Sequence, residues 1–259
     1  MIYTAYFDES DSHGPKPALV MSAFLASARQ WELFERKLKR MQTNEGFNIF
    51  HAKDYRARRG EFRDWDEEKW KRVGWEFATL MADELTRCAT VVLPHDLYQG
   101  VYRAPPVPHR MPLDSQYGLC FRMCLLHFIE VLEEGRDKLQ VVIESGHKNA
   151  QDTVRIFGEL KAVLTGHGVD FLRTIKVARK EEALPLMAAD FNAHLGALQH
   201  RVGEFDKEGD ETSKRKAFHS RLVPTSDYLG NLKQNWSSIR ERLIEKRRGE
   251  RVTRAKLTQ

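Results

Sequence analysis

The sequence predicts an α/β protein: a mixed sheet with helices on both faces, followed by a basic C-terminal tail. Three observations carry this. Through residues 139–200, short apolar runs rich in β-branched and aromatic residues alternate with amphipathic stretches of helical period, as parallel strands joined by crossover helices do. The two opening runs, 2–7 and 18–25, flank a segment containing Gly14, Pro15 and Pro17, which predicts an antiparallel pair. From Arg201 onward periodicity gives way to charge at 204–216 and 240–256. The expected division is residues 1–200 as one domain and 201–259 as a charged linker and basic extension.

Each element has its own signal. Residues 2–7 are aromatic and β-branched and run into Asp8 and Glu9, a strand whose end meets solvent. Trp31, Phe34, Leu38 and Met41 recur every three to four residues behind Ser27, a helix with a serine cap. Asp66 caps a second helix carrying Trp70, Val73, Phe77, Leu80, Met81 and Leu85, and residues 89–93 follow as a strand. Four prolines at 105, 106, 108 and 112 predict a loop over 102–112. A helix over 115–134, a strand over 139–143 ending in Glu144, a helix near 152–164, a strand near 171–177 and a helix near 184–200 complete the alternation.

Composition narrows the function classes. The chain has 259 residues, 31% charged and 41% hydrophobic, a balance that folds rather than staying disordered. Its net charge of +5 leans toward a polyanionic partner such as DNA or RNA. Cys88, Cys120 and Cys124 are too few and too irregular for a disulfide framework or a zinc finger, and suit a reducing cytoplasm. No stretch approaches the apolar length of a membrane span, the first residues lack the pattern of a secretory signal, and oligomeric state is open.

The chemistry is carried by carboxylates. Asp8 and Glu9 end one strand and Glu144 another, so separate strands deliver acids toward one edge of the sheet. Like charges held together call for a counter-ion, and oxygen-only ligands suit Mg2+ or Mn2+. Asp190 lies in the otherwise apolar Leu186-Met187-Ala188-Ala189-Asp190-Phe191, where a carboxylate needs a partner. A strand-end acid read alone is more readily a helix or turn cap.

Four motifs, Tyr6-Phe7-Asp8-Glu9-Ser10, Ile49-Phe50-His51-Ala52-Lys53-Asp54, Glu144-Ser145 and Ala188-Ala189-Asp190-Phe191-Asn192-Ala193, come in this order over roughly the first 200 residues. In them the chain resembles the family called domain of unknown function 3800, placed among ribonuclease H-like proteins. The sequence departs where Asp11 follows Ser10 in place of the usual Gly, and where Glu144 replaces the commoner Asp. The resemblance implies a ribonuclease H-like fold with one acid on the first strand, one after the fourth and one on the final helix, around one or two metal ions. Asp8, Glu144 and Asp190 map onto those roles, with Glu9 as a further metal ligand.

Within the second motif, near the start of a predicted loop, His51 is an expected catalytic group that donates a proton, ligates metal or contacts a phosphate. Lys53 is expected to hold a phosphate and Asp54 to orient His51. Ser10, Lys53, Arg58 and Arg59 are the expected substrate contacts, and Lys246-Arg247-Arg248 adds to the basic surface. Trp65 and Trp70 are placed to stack on bases, although Trp70 fits a helix core better. The expected activity is metal-dependent hydrolysis of DNA or RNA. The alternatives are a non-catalytic nucleic-acid-binding or regulatory module on the same fold, and a small-substrate phosphoryl hydrolase.

Overall fold

The computed structural model describes residues 1–10, 17–85, 87–105, 113–132, 136–166, 168–201, 219–222, 226, 227 and 229. Strands β1 (Ile2–Ser10), β2 (Ala18–Ser27), β3 (Arg87–Pro94), β4 (Lys138–Glu144), β5 (Leu172–Ala178) and β6 (His219–Leu222) form one sheet in the order β5-β4-β1-β2-β3-β6. β2 runs antiparallel to both its neighbours, while β1, β4 and β5 are mutually parallel. This is the mixed α/β sheet expected, with the acids on the first strand, the end of the fourth and the last long described helix.

Helices α1 (Ala28–Glu45), α2 (Ala52–Ala57), α3 (Glu67–Glu84), α4 (Gln116–Val131), α5 (Ala150–Gly166) and α6 (Leu186–Arg201) cover both faces. On one face, Ala5, Phe7, Val141 and Ile143 pack with Phe121, Phe128 and Ile156 of α4 and α5. On the other, α1, α2, α3 and α6 share a core of Trp31, Phe34, Phe50, Phe77 and Phe191, with the rings of Phe50 and Phe77 stacked 4.5 Å apart. Side chains alternate between faces along a strand, so Phe7 and Asp8 necessarily serve opposite sides.

The caps explain the boundaries. Ser27 accepts from the Gln30 backbone while Gln30 reaches back to the Ser27 N–H, a full capping box, and Gly46 ends α1 in the left-handed conformation at φ 70°. Asp66 and Ser115 each accept a backbone N–H of the first turn of α3 and α4.

Three expectations need correction. β1 does not stop at Phe7 but continues through Asp8 and Glu9 to Ser10, because β2 stays paired with it as far as Val20 opposite Ser10. Residues 52–57 form a short helix, α2, with His51 at its N-cap, where a loop was expected. Its first N–H donates to Asp190, so the turn is held by tertiary contact where its own length is too short to sustain it. Inside the expected linker, β6 pairs with the edge of β3, and Leu229 is buried in the α4 and α5 core. The predicted turn at 11–16, Pro106, Pro108 and Pro112, the charged run at 204–216 and the tail from 230 lie outside the described residues.

Candidate metal centre

The parallel pairing of β1 with β4 ends at Phe7 opposite Ile143, so Asp8 and Glu144 are the next residues of two adjacent strands. Glu144 pairs in turn with Ala178, the last residue of β5, two residues before Lys180. Three parallel strands therefore deliver Asp8, Glu144 and Lys180 to one edge, the carboxyl end where open α/β sheets leave a crevice. Asp8, Glu9 and Glu144 each offer an oxygen within 4.8 Å of the others.

Helix α6 brings the fourth acid. Ala188, Ala189 and Ala193 are fully buried, and small side chains there let the helix lie close on the sheet. Asn192 fixes its register, because its amide donates to Ser22 Oγ and Thr90 Oγ1, both at 2.8 Å, on β2 and β3. Asp190, two residues earlier, accepts the Ala52 N–H at 2.9 Å through Oδ2, and that oxygen lies 3.8 Å from His51 Nδ1.

Lys180 lies among these acids. Its Nζ is 2.9 Å from Asp8 Oδ2 and 3.6 Å from Asp190 Oδ2, and it donates to Glu144 Oε1. Asp8 is 1% and Lys180 4% exposed, so this is a buried ion cluster rather than a surface pair. Burial, with the neighbouring Asp190 and Glu144 charges, holds the Asp8 carboxyl well above the usual carboxylate range, against the pull of Lys180. Burial also raises Glu144, but its hydrogen bond with Asp8 and the Lys180 charge outweigh that and leave it low. Burial disfavours the Lys180 ammonium, yet Asp8, Asp190 and Glu144 more than compensate and keep it charged.

Tyr117 of α4 closes the site from the other face. Its hydroxyl is buried with no hydrogen-bond partner among the described residues, and burial followed by the charges of Glu9, Asp8 and Glu144 pushes its ionisation up. Its ring stacks on His147 at 4.0 Å.

The structure therefore brings together Asp8, Glu9, Glu144, Asp190 and His51. Ser10 follows at the end of β1. Lys53 lies in α2, and Arg58 and Arg59 follow its end, Arg58 in the left-handed conformation at φ 50° with its guanidinium 5.2 Å from the Trp70 ring. The carboxylate seen beside His51 is Asp190, not the expected Asp54. Trp65 is buried, and Trp70 stacks on Tyr55 at 5.2 Å; neither offers an open face for bases, whereas Trp75 is 68% exposed. Sequence reasoning missed Lys180, Tyr117 and the positioning role of Asn192. The available signal for Lys180 was that β5 neighbours β4, so the first cation beyond its end shares the edge with Glu144.

The donor set fits a hard divalent ion: it is all oxygen, and Asp8 Oδ2 is buried, 2.9 Å from Lys180 Nζ. Among the described residues, no helix is long and apolar enough to cross a membrane.

No protein-family model matches the chain. No curated protein matches it either. Among solved structures, Bst ribonuclease HIII in complex with Mn2+ is similar at 15% identity and a TM-score of 0.42, over 78% of this chain and 56% of that one. A point mutant of Bst ribonuclease HIII gives 12% and 0.42, over 77% and 55%. Ribonuclease H2 from Pyrococcus horikoshii OT3 gives 14% and 0.41, over 83% of each chain. The chain spans a little over half the length of the ribonuclease HIII chains it matches.

Proposed function

We propose that this protein is a metal-dependent nuclease that hydrolyses phosphodiester bonds of DNA or RNA, and that its four motifs mark it as a relative of the domain of unknown function 3800 family. The observation that carries the reading is the convergence, at one sheet edge, of oxygens from Asp8, Glu9 and Glu144 within 4.8 Å, with Asp190 joined to them through Lys180. Residues so far apart in sequence, sharing a buried excess of negative charge, are costly to keep unless a cation binds there.

Asp8, Glu9 and Glu144 hold Mg2+ or Mn2+ in this reading, with Asp190 completing the acidic wall. Bound there, the ion supplies Lewis-acid stabilisation of charge on a phosphodiester. His51 Nδ1 rests near Asp190, and the ring, half-exposed at the mouth of the site, donates a proton to the leaving oxygen. Lys53, Arg58 and Arg59 carry the flanking backbone phosphates. Lys53 sits in the first turn of α2, and Arg58 and Arg59 follow just beyond its end. The basic residues beyond 230 add affinity by counterion release. The three cysteines are buried and free, which suits a cytoplasmic setting.

A second reading has a specific observation in its favour: Lys180 already contacts three of the acids, so the cluster could be a self-compensated structural feature of a nucleic-acid-binding module. Cleavage assays on single- and double-stranded DNA and RNA with Mg2+ or Mn2+ separate the two. The nuclease reading expects ion-dependent cleavage that falls by about 100-fold or more in Asp8→Asn, Glu144→Gln and Asp190→Asn, while the fold survives. Cleavage at the unaltered rate in Asp8→Asn or Asp190→Asn would sink the assignment.

A further inference from the structure

We infer that Lys180 is a resident cation of the centre: its ammonium fills the position between Asp8, Glu144 and Asp190 that a second divalent ion would otherwise take, so the protein binds a single metal ion on the Asp8, Glu9 and Glu144 side. This rests on the metal-dependent reading above and sharpens it from one or two ions to one.

The geometry divides the acids in two. Asp8, Glu9 and Glu144 form a group that closes within 4.8 Å, and Asp190 is not part of it. Asp190 Oδ2 instead lies 3.6 Å from Lys180 Nζ, which also meets Asp8 Oδ2 at 2.9 Å. The ammonium thus stands at the point that draws Asp190 toward the rest.

Lys180 is also held in place. The Ser145 N–H donates to the Ala178 carbonyl at 2.8 Å, tying the end of β5 to the residue after Glu144. The turn that follows is closed by Glu182 N–H to Arg179 O at 3.0 Å and Ala183 N–H to Lys180 O at 3.3 Å, and Leu186 N–H to Ala183 O at 3.0 Å passes directly into α6. A lysine drawn to acids only for want of a metal would ordinarily keep its head at the surface; this one is 4% exposed, stem and head alike.

Charge points the same way. The four acids Asp8, Glu9, Glu144 and Asp190, less the Lys180 charge, leave three negative charges, of which one divalent ion neutralises two. A second divalent ion beside a buried ammonium would meet strong like-charge repulsion at this distance.

The test is a titration of the full chain with Mn2+, counting free ion by its electron paramagnetic resonance signal. One bound ion per chain is expected for the unaltered protein, two for Lys180→Met, and one for Lys180→Arg, which keeps the charge. The first ion should also bind at least about tenfold more tightly in Lys180→Met, since a nearby positive charge has gone. Two ions bound by the unaltered protein, or still one in a folded Lys180→Met, would overturn the inference while leaving the metal-dependent reading intact. No Mn2+ bound by the unaltered protein would instead overturn that reading, and this inference with it. The count on the unaltered protein decides the matter even if Lys180→Met does not fold.

Discussion

Two groups of buried charge lie in this molecule, and they are built on opposite plans. Beside α4, Asp114 is gripped by Arg122 through Nε at 2.6 Å and a second nitrogen at 2.9 Å, and by Arg155 at 2.6 Å. Tyr102 adds a hydroxyl at 3.2 Å. Burial would raise the Asp114 carboxyl, but the two guanidinium groups win and hold it below the usual range. At the sheet edge the balance reverses: several acids share one ammonium, and Asp8 is held well above that range. A charge cluster that satisfies itself is a structural device, whereas one left short of positive charge is prepared for something that arrives from outside.

The largest effect should come from breaking the satisfied cluster. Asp114→Ala strands Arg122, itself 1% exposed, and should cost about 3–5 kcal/mol in chemical denaturation. A loss under 1 kcal/mol would mean the two clusters are not so different. Next in size, Asn192→Ala removes the amide that meets Ser22 and Thr90, leaves their hydroxyls short of a partner, and should cost about 1–3 kcal/mol. It should also weaken Mn2+ binding by releasing Asp190; unchanged binding alongside the stability loss would confine Asn192 to packing.

Asp8→Asn should act with the opposite sign to Asp114→Ala. Without metal it relieves repulsion among the acids and should raise the melting temperature. Destabilisation instead would show that the edge cluster is as self-sufficient as the other. The smallest effect is the pH dependence. Asp114 ionises more easily folded than unfolded, so its contribution is present above about pH 4, the ordinary carboxylate value, and is lost as pH falls through its folded value. Asp8 is raised in the fold, so its contribution is present below that ordinary value and is lost as pH rises through its folded one. Metal-free protein should therefore weaken as pH rises above about 4 relative to Asp8→Asn, and parallel stability curves would contradict the assignment.

Most of the fold was legible because the strands and long helices declare themselves by period. Trp31, Phe34 and Leu38 mark the buried stripe of α1, and Val141 and Ile143 the buried face of β4. What was hidden depends on contacts that a single sequence does not spell out. Helix α2 is six residues long and held by Asp190, 138 positions away. β6 is four residues, His219-Ser220-Arg221-Leu222, with no apolar alternation to announce it. At the site, the acids stood out because a carboxylate in an apolar run is anomalous. Lys180 did not, because it stands in Arg179-Lys180-Glu181-Glu182, a run that reads as an ordinary solvated turn.

The parallel pairing of β1 with β4 also governs when this site can exist. β1 is complete at Ser10, but its parallel partner begins only at Lys138, and Asp190 comes 182 residues after Asp8. During synthesis at about 5–20 residues per second, the central strand waits roughly 6–26 seconds, with only its antiparallel neighbour β2 beside it, before Lys138 is made, and roughly 3–10 seconds more before Asp190. Contacts this distant in sequence form slowly, so the hairpin of β1 and β2 folds early and the centre is assembled last. A ribosome-bound or truncated chain would carry Asp8 and Glu9 without Glu144, Lys180 or Asp190, and so would be inert until the whole sheet has closed.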